Sequence, residues 1–175
     1  IIAFTSDHGD MLGDHHLWGK SMMFEKSARV PLVIVPAKGD TRLGIGATDD
    51  RFAELRDIMP TLLDLCRIDI PETSEGISLL QDQQRDALYG EIHEGEIASR
   101  MIRRNHYKLI YYPVGHRFQL FDLQTDPLER NDLAGQPGSR QIQEEMTDLL
   151  REHLYGDDLQ WIREGQFVGL PDRPY

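Results

Sequence analysis

Two kinds of hydrophobic pattern divide the chain. Ile1-Ile2-Ala3-Phe4-Thr5 and Val30 to Val35 are short, nearly continuous apolar runs, the second β-branched and closed by Pro36. Such runs predict strands buried on both faces of a parallel sheet. Between them, Ser6 to Lys20 is dense in Asp, His and Gly, with only Met11, Leu12, Leu17 and Trp18 as apolar positions, and predicts a patterned loop. Lys38 to Asp50 reads as a second loop and Arg51 to Arg56 as a short strand. Asp57 is then placed to cap a helix that tolerates Pro60 in its first turn. Ile58, Leu62, Leu65 and Cys66 fall at i, i+4, i+7 and i+8, so this helix turns one apolar face, Cys66 included, to a core.

From Ala87 the period changes. Leu88 to His93, Ile97 to Arg103, Tyr107 to Tyr112 and Phe118 to Leu123 are short runs with aromatic and β-branched residues, separated by Gly, Asn-His and Pro-Val-Gly-His. That spacing predicts antiparallel hairpins. Asp126-Pro127 marks a turn. Ser139 is placed to cap a helix whose Ile142, Met146, Leu149, Leu150 and Leu154 share a face before Gly156 stops it. The expected organisation is α/β: a core portion with the polar loop over residues 1–80, a small antiparallel sheet plus helix over 81–156, and a tail of open structure over 157–175.

The composition narrows the classes of partner. The 175 residues carry 30 acidic against 19 Lys plus Arg side chains, a net charge of −11, with 39% hydrophobic and 28% charged residues. The apolar content is that of a globular chain, not a disordered one. The acidic balance argues against nucleic acid, whose phosphates need Lys and Arg, and against docking on an anionic membrane. No apolar run reaches membrane-spanning length. A single Cys66 excludes an internal disulfide framework and any Cys-rich zinc module. Residue 1 is Ile, inside what reads as a strand already under way, so the expectation is a fragment of a longer protein. Compartment stays open: one Cys is compatible with cytoplasm or with periplasm or secretion.

The chemistry concentrates in the polar loop. Asp7-His8-Gly9 sits where the first strand ends, the edge at which open α/β sheets bind ligands. A carboxylate and an imidazole on adjacent positions, released into a tight turn by Gly9, can both address one divalent cation. Oxygen ligands suit Ca²⁺, Mg²⁺ or Mn²⁺, and more imidazole favours Mn²⁺ or Zn²⁺. The dipeptide alone is more often a turn cap beside a packed imidazole. Lys20 could grip a tetrahedral oxyanion, although a single Lys is ordinarily a solvated charge. His15 and His16 are adjacent, so at most one faces a substrate. A neutral His there could protonate a leaving alkoxide, and hydrogen bonds from both to loop carbonyls are the alternative. Trp18 is a candidate pocket wall or a hydrophobic anchor for the loop. Glu25 and Arg29 at i, i+4 predict a helical ion pair.

Phe4 to Lys20, continued by Glu25 and Arg29-Val30-Pro31-Leu32, resembles the metal loop of the sulfatase family in the alkaline-phosphatase-like superfamily. Asp57-Ile58-Met59-Pro60-Thr61-Leu62-Leu63-Asp64-Leu65 is similar to the helix that follows that loop. Tyr107-Lys108-Leu109-Ile110, Phe121-Asp122-Leu123 and Asp126-Pro127-Leu128-Glu129-Arg130-Asn131-Asp132-Leu133 are similar to its small C-terminal sheet and turn. The likeness spans residues 1 to about 155, with its motifs in the family's order.

The resemblance implies part of a sulfatase-like central sheet with flanking helices, followed by a small antiparallel sheet packed with a C-terminal helix. It implies that Asp7 and His8 are metal ligands, with Ca²⁺ the first expectation and Mn²⁺, Mg²⁺ or Zn²⁺ the others. By the same resemblance Lys20 contacts the sulfate group; His16 as proton donor, and His15 and Trp18 as substrate-lining residues, are expectations from their residue chemistry alone. His8 stands where many sulfatases have Asn; Asp-His also occurs in relatives that cleave phosphate or phosphonate esters. The family's formylglycine arises in a Cys-x-Pro/Ala-x-Arg motif, and this chain has none, Cys66 being followed by Arg67-Ile68-Asp69. The nucleophile is expected in an N-terminal half preceding Ile1, so this chain alone is expected to be inert. The expected partners are that half, or a second copy through an exposed sheet edge, and a small-molecule or glycan sulfate ester. A non-catalytic anion-binding module is the alternative.

Overall fold

The computed structural model describes residues 1–172; the last three residues of the tail predicted from residue 157 lie outside the described residues. Its elements are β1 (Ile2–Thr5), α1 (Glu25–Ala28), β2 (Leu32–Val35), α2 (Ile58–Leu65), β3 (Leu88–Ile92), β4 (Ser99–Arg104), β5 (Tyr107–Tyr112), β6 (Arg117–Asp122), α3 (Arg140–His153), β7 (Ile162–Arg163) and β8 (Gln166–Phe167). They divide into two units, residues 1–8 with 30–86, and residues 9–29 with the chain from Ala87 onward. The class is mixed α/β, as the patterning predicts. No helix among the described residues is long and apolar enough to cross a membrane.

In the first unit β1 pairs with β2 antiparallel, Ile2 opposite Val35 and Thr5 opposite Leu32. This corrects the parallel, doubly buried strand that the apolar run predicts. Apolar content reports a tendency to be covered and says nothing about strand direction. A two-stranded ribbon also has open faces, and Ile2 is 65% and Phe4 62% exposed. The helix α2 forms where expected, with Pro60, Thr61 and Leu65 buried. Cys66 is exposed rather than packed: it still donates its N–H to the Leu62 carbonyl in helical register, but the buried side of the helix runs through Asp57, Thr61 and Leu65, at i, i+4 and i+8, and Cys66 stands one residue past it.

Asp57 makes no side-chain cap bond to α2; its carboxylate instead closes a capping box on the 3-10 turn Leu55–Asp57 ahead of it. It is fully buried, and its Oδ1 and Oδ2 accept the Ile77 and Glu54 N–H groups, each at 2.8 Å. Both carboxylate oxygens also take the Arg85 guanidinium, at 2.6 and 2.8 Å. Thr61 continues the same interior: its hydroxyl donates to the Asp57 carbonyl at 2.6 Å and accepts the Leu79 N–H at 2.9 Å. The strand predicted at Arg51 to Arg56 is absent; Leu55–Asp57 is a 3-10 turn, and the Arg51 guanidinium reaches the Leu79 and Gln81 carbonyls. A side chain that satisfies remote carbonyls stabilises this backbone without a ladder.

The second unit is built on the antiparallel sheet β3-β4-β5-β6. Alternate side chains point to opposite faces of a strand, and both faces here are covered. Ile102, Leu109, Tyr111 and Leu120 pack with Met146, Leu150 and Leu154 of the α3 segment and with Trp161 and Phe167. Met101, Ile110 and Phe121 pack with Met11, Met23 and Phe24. The sheet is thus a middle layer between α3 and the segment 9–29. Asn105, between β4 and β5, takes a left-handed backbone (φ 54°), as the Asn-His turn predicts. Ser139 stands before α3 without a side-chain cap bond, and the helix ends at His153, short of Gly156. Gly156 instead opens a 3-10 helix, Gly156–Trp161, which carries Trp161 into the core.

Candidate active-site loop

Asp7 and His8 follow the end of β1 in the first unit. The Ser6 hydroxyl donates to the His8 carbonyl at 2.7 Å, and the His8 N–H donates to Asp7 Oδ1 at 3.1 Å. These bonds turn the two side chains toward one another, with His8 Nε2 3.6 Å from Asp7 Oδ2. One carboxylate and one imidazole so placed are an oxygen and nitrogen donor pair of the kind divalent cations accept. Among the described residues no group of three or more His, Cys, Asp and Glu is arranged to hold a metal. The pair supplies two donors, fewer than a complete ligand set.

Gly9 begins the second unit and does not serve a left-handed turn. A Cβ there would fall 2.0 Å from the Lys26 carbonyl oxygen, and the Gly9 N–H bonds the Ser27 carbonyl at 2.8 Å. Glycine is required by the close approach of the two backbones. From there the loop closes on itself: Met11 N–H bonds Gly19 O at 2.7 Å, Gly13 N–H bonds Leu17 O at 2.9 Å, and Asp10 Oδ1 accepts the Leu12 N–H at 2.9 Å and the Gly19 N–H at 3.2 Å. Buried Met11 fixes its underside. Leu12, His15, His16 and Ser21 all have positive φ. Left-handed backbone costs a non-glycine residue on the order of 1 kcal/mol each, strain that persists only where surrounding contacts enforce it.

The loop separates its two histidines. The His15 ring stacks on Phe24 at 4.2 Å, and its Nε2 lies 3.0 Å from the Leu128 carbonyl oxygen. His16 is exposed, as is Lys20. Trp18 is 77% exposed, so it does not anchor the loop; its indole lies beside Gly13. The predicted Glu25–Arg29 pair is replaced by a longer-range one. Glu25 Oε1 lies 3.0 Å from Lys108 Nζ, and Glu25 Oε2 lies 3.4 Å from an Arg103 nitrogen. Lys108 also meets Glu129 at 2.8 Å. Sequence reasoning missed Lys108 and Glu129 as supports of the loop. The available signal was a Lys inside an otherwise apolar strand, Tyr107-Lys108-Leu109-Ile110-Tyr111-Tyr112.

The structure thus brings Asp7 to His8 in one unit, and carries His15, His16, Trp18 and Lys20 on one self-bonded loop in the other. Residues 13–155 match the family model described as N-sulphoglucosamine sulphohydrolase, C-terminal. The chain belongs to that family. Its matched stretch includes His15, His16, Trp18 and Lys20 and begins after Asp7 and His8.

Among curated proteins the chain is similar to an arylsulfatase of Clostridium perfringens, 36% identical over 162 residues, which cover 89% of this chain and 34% of that protein. Among solved structures it is similar to a protein in complex with its substrate D-glucosamine-2-N,6-O-disulfate (TM-score 0.76, 29% identity, 86% of this chain and 33% of that one). It is also similar to the phosphonate monoester hydrolase of Agrobacterium radiobacter (TM-score 0.69, 28% identity, 87% and 35%). The sulfatase C-terminal portion recognised in the motifs is therefore the family of this chain. It spans about a third of the length of the relatives it matches.

Proposed function

We propose that this chain is the C-terminal portion of a metal-dependent sulfatase-like hydrolase that cleaves sulfate esters, and that it supplies metal ligands and a sulfate-binding lysine while the nucleophile lies elsewhere in the protein. The observation that carries the reading is the paired Asp7 and His8 donor set, seven residues or fewer from the start of β1, in a chain of the sulfatase C-terminal family. A divalent cation, Ca²⁺ first among the candidates, would neutralise charge on the ester oxygens when bound. Lys20 would donate to an oxyanion as charge gathers on it, and exposed His16 would hand a proton to the leaving alkoxide. Trp18 offers a flat apolar face to the organic part of the ester. His15, its Nε2 engaged by Leu128, supports the loop. Sulfated sugars are the substrate class suggested by the disulfated glucosamine bound to the similar structure.

The test uses the full-length protein. Asp7→Ala is expected to lose the bound cation, measured by elemental analysis, together with turnover of an aryl sulfate. Lys20→Ala is expected to lose about 2–4 kcal/mol of transition-state stabilisation with metal content unchanged. An Asp7→Ala protein with full metal content and activity removes Asp7 from the site. A second reading, hydrolysis of phosphonate or phosphate monoesters, is favoured by His8 and by the similarity to a phosphonate monoester hydrolase. Sulfate and phosphonate esters of one leaving group, assayed in parallel, separate the two.

A further inference from the structure

Lys108 is fully buried on the face of β5 that points at residues 9–29, beside Met101, Ile110 and Phe121. An apolar side chain would fill this place without the desolvation cost of an ammonium. The two carboxylates it meets both belong to segments that hold the loop. Glu25 is the first residue of α1, five positions after Lys20. Glu129 follows Leu128, whose carbonyl holds His15, and Glu129 Oε2 accepts the Glu25 N–H at 2.6 Å. Phe24, under the His15 ring, immediately precedes Glu25. Glu129 itself is buried and held in a left-handed backbone (φ 54°).

We propose that Lys108 is a positioning residue: its ammonium clamps Glu25 and Glu129 together, and through them fixes the loop that presents His16, Trp18 and Lys20. Two carboxylates are matched by Lys108 and by Arg103, the latter on the far oxygen of Glu25. Without Lys108 the carboxylates face each other in a dry interior and separate, which parts the α1 start from the 128–129 turn and frees His15 from its seat. The catalytic consequence, though not the clamp itself, rests on the role proposed above for Lys20.

The experiment compares parent, Lys108→Met and Glu129→Gln full-length proteins by amide hydrogen exchange, and combines Lys108→Met with Lys20→Ala in kinetics on a sulfate ester. Glu129→Gln keeps the volume and an acceptor, and carries the measurement if Lys108→Met does not fold. The loop amides of Met11, Gly13 and Leu17 are expected to exchange roughly tenfold faster or more, while those of Ile102 and Leu109 change less than about twofold. Equal acceleration at both places, or none in the loop, overturns the clamp. In the kinetic cycle Lys108→Met is expected to lower kcat/KM in the parent and to cost little once Lys20 is Ala. Losses that add in the double variant overturn the action through Lys20. If Lys20→Ala alone matches the parent, the proposed role of Lys20 fails while hydrogen exchange still decides the clamp.

Discussion

Replacing Asp57 by Ala separates two accounts of one residue by their size. A helix cap contributes typically about 1 kcal/mol. The structure instead shows a fully buried carboxylate with two backbone N–H donors, at 2.8 Å each, and a two-point contact to Arg85 at 2.6 and 2.8 Å. Truncation leaves two amides without their acceptor and the Arg85 guanidinium with Glu54, at 2.6 Å, as its remaining carboxylate, and breaking a buried pair from one side costs about 3–5 kcal/mol. At about 1.4 kcal/mol per tenfold, that is two to three and a half powers of ten in local opening, against roughly fivefold for a lost cap. The first unit, residues 1–8 and 30–86, contains no Trp, so tryptophan fluorescence would not report it. Native-state hydrogen exchange at the Ile77 and Leu79 amides does. Protection reduced a hundredfold or more, or abolished, is expected in Asp57→Ala; a reduction of fivefold or less refutes the buried-pair account.

Asp40 should stay ionised and paired with Arg42 as acid is added, until the pH approaches about 2. Arg42 donates to the Asp40 carboxylate at 2.6 Å and to the Asp64 and Leu65 carbonyls at 2.9 and 2.8 Å, and its side-chain and backbone bonds hold the Asp40 carboxyl down at about 2. A lowered folded value means that the contribution is complete above the unfolded value near ~3.9 and is lost as pH falls from there through about 2. An NMR titration of Asp40 with its midpoint near 4 contradicts the pairing. Trp18 and Trp161 divide the fluorescence of the 175-residue chain: Trp18→Phe should leave only the blue-shifted emission of buried Trp161, iodide-resistant, with stability within about 0.5 kcal/mol of the parent. A red-shifted, quenchable residual emission would contradict the burial of Trp161.

Local pattern carried much of the second unit. Strands β3 to β6 and helix α3 were legible because each has a period of its own, and a hairpin or an amphipathic helix is decided by residues close in sequence. The candidate loop stood out by its residue types, Asp, His, Gly and Lys at the end of an apolar run. Its internal arrangement was not. Nothing in Asp-His-His says which imidazole stacks on Phe24, because that is fixed by how the loop folds back on Phe24 and by Leu128, 113 residues further along the chain. Gly9 was legible as a necessity but for the wrong reason, since the obstacle is the carbonyl of Lys26 and not its own φ.

The amino-acid order by itself determined the family and most of the element types, since these follow from motifs in sequence and from short-range periodicity; the Arg51 to Arg56 strand is the exception. Only the tertiary structure decided the antiparallel direction of β1 and β2, the burial of Asp57 against Arg85, and the meeting of Glu25 with Lys108 instead of Arg29. Each is a choice among chemically equivalent partners. A carboxylate is satisfied by any nearby cation, and which cation is near depends on how distant strands and turns pack.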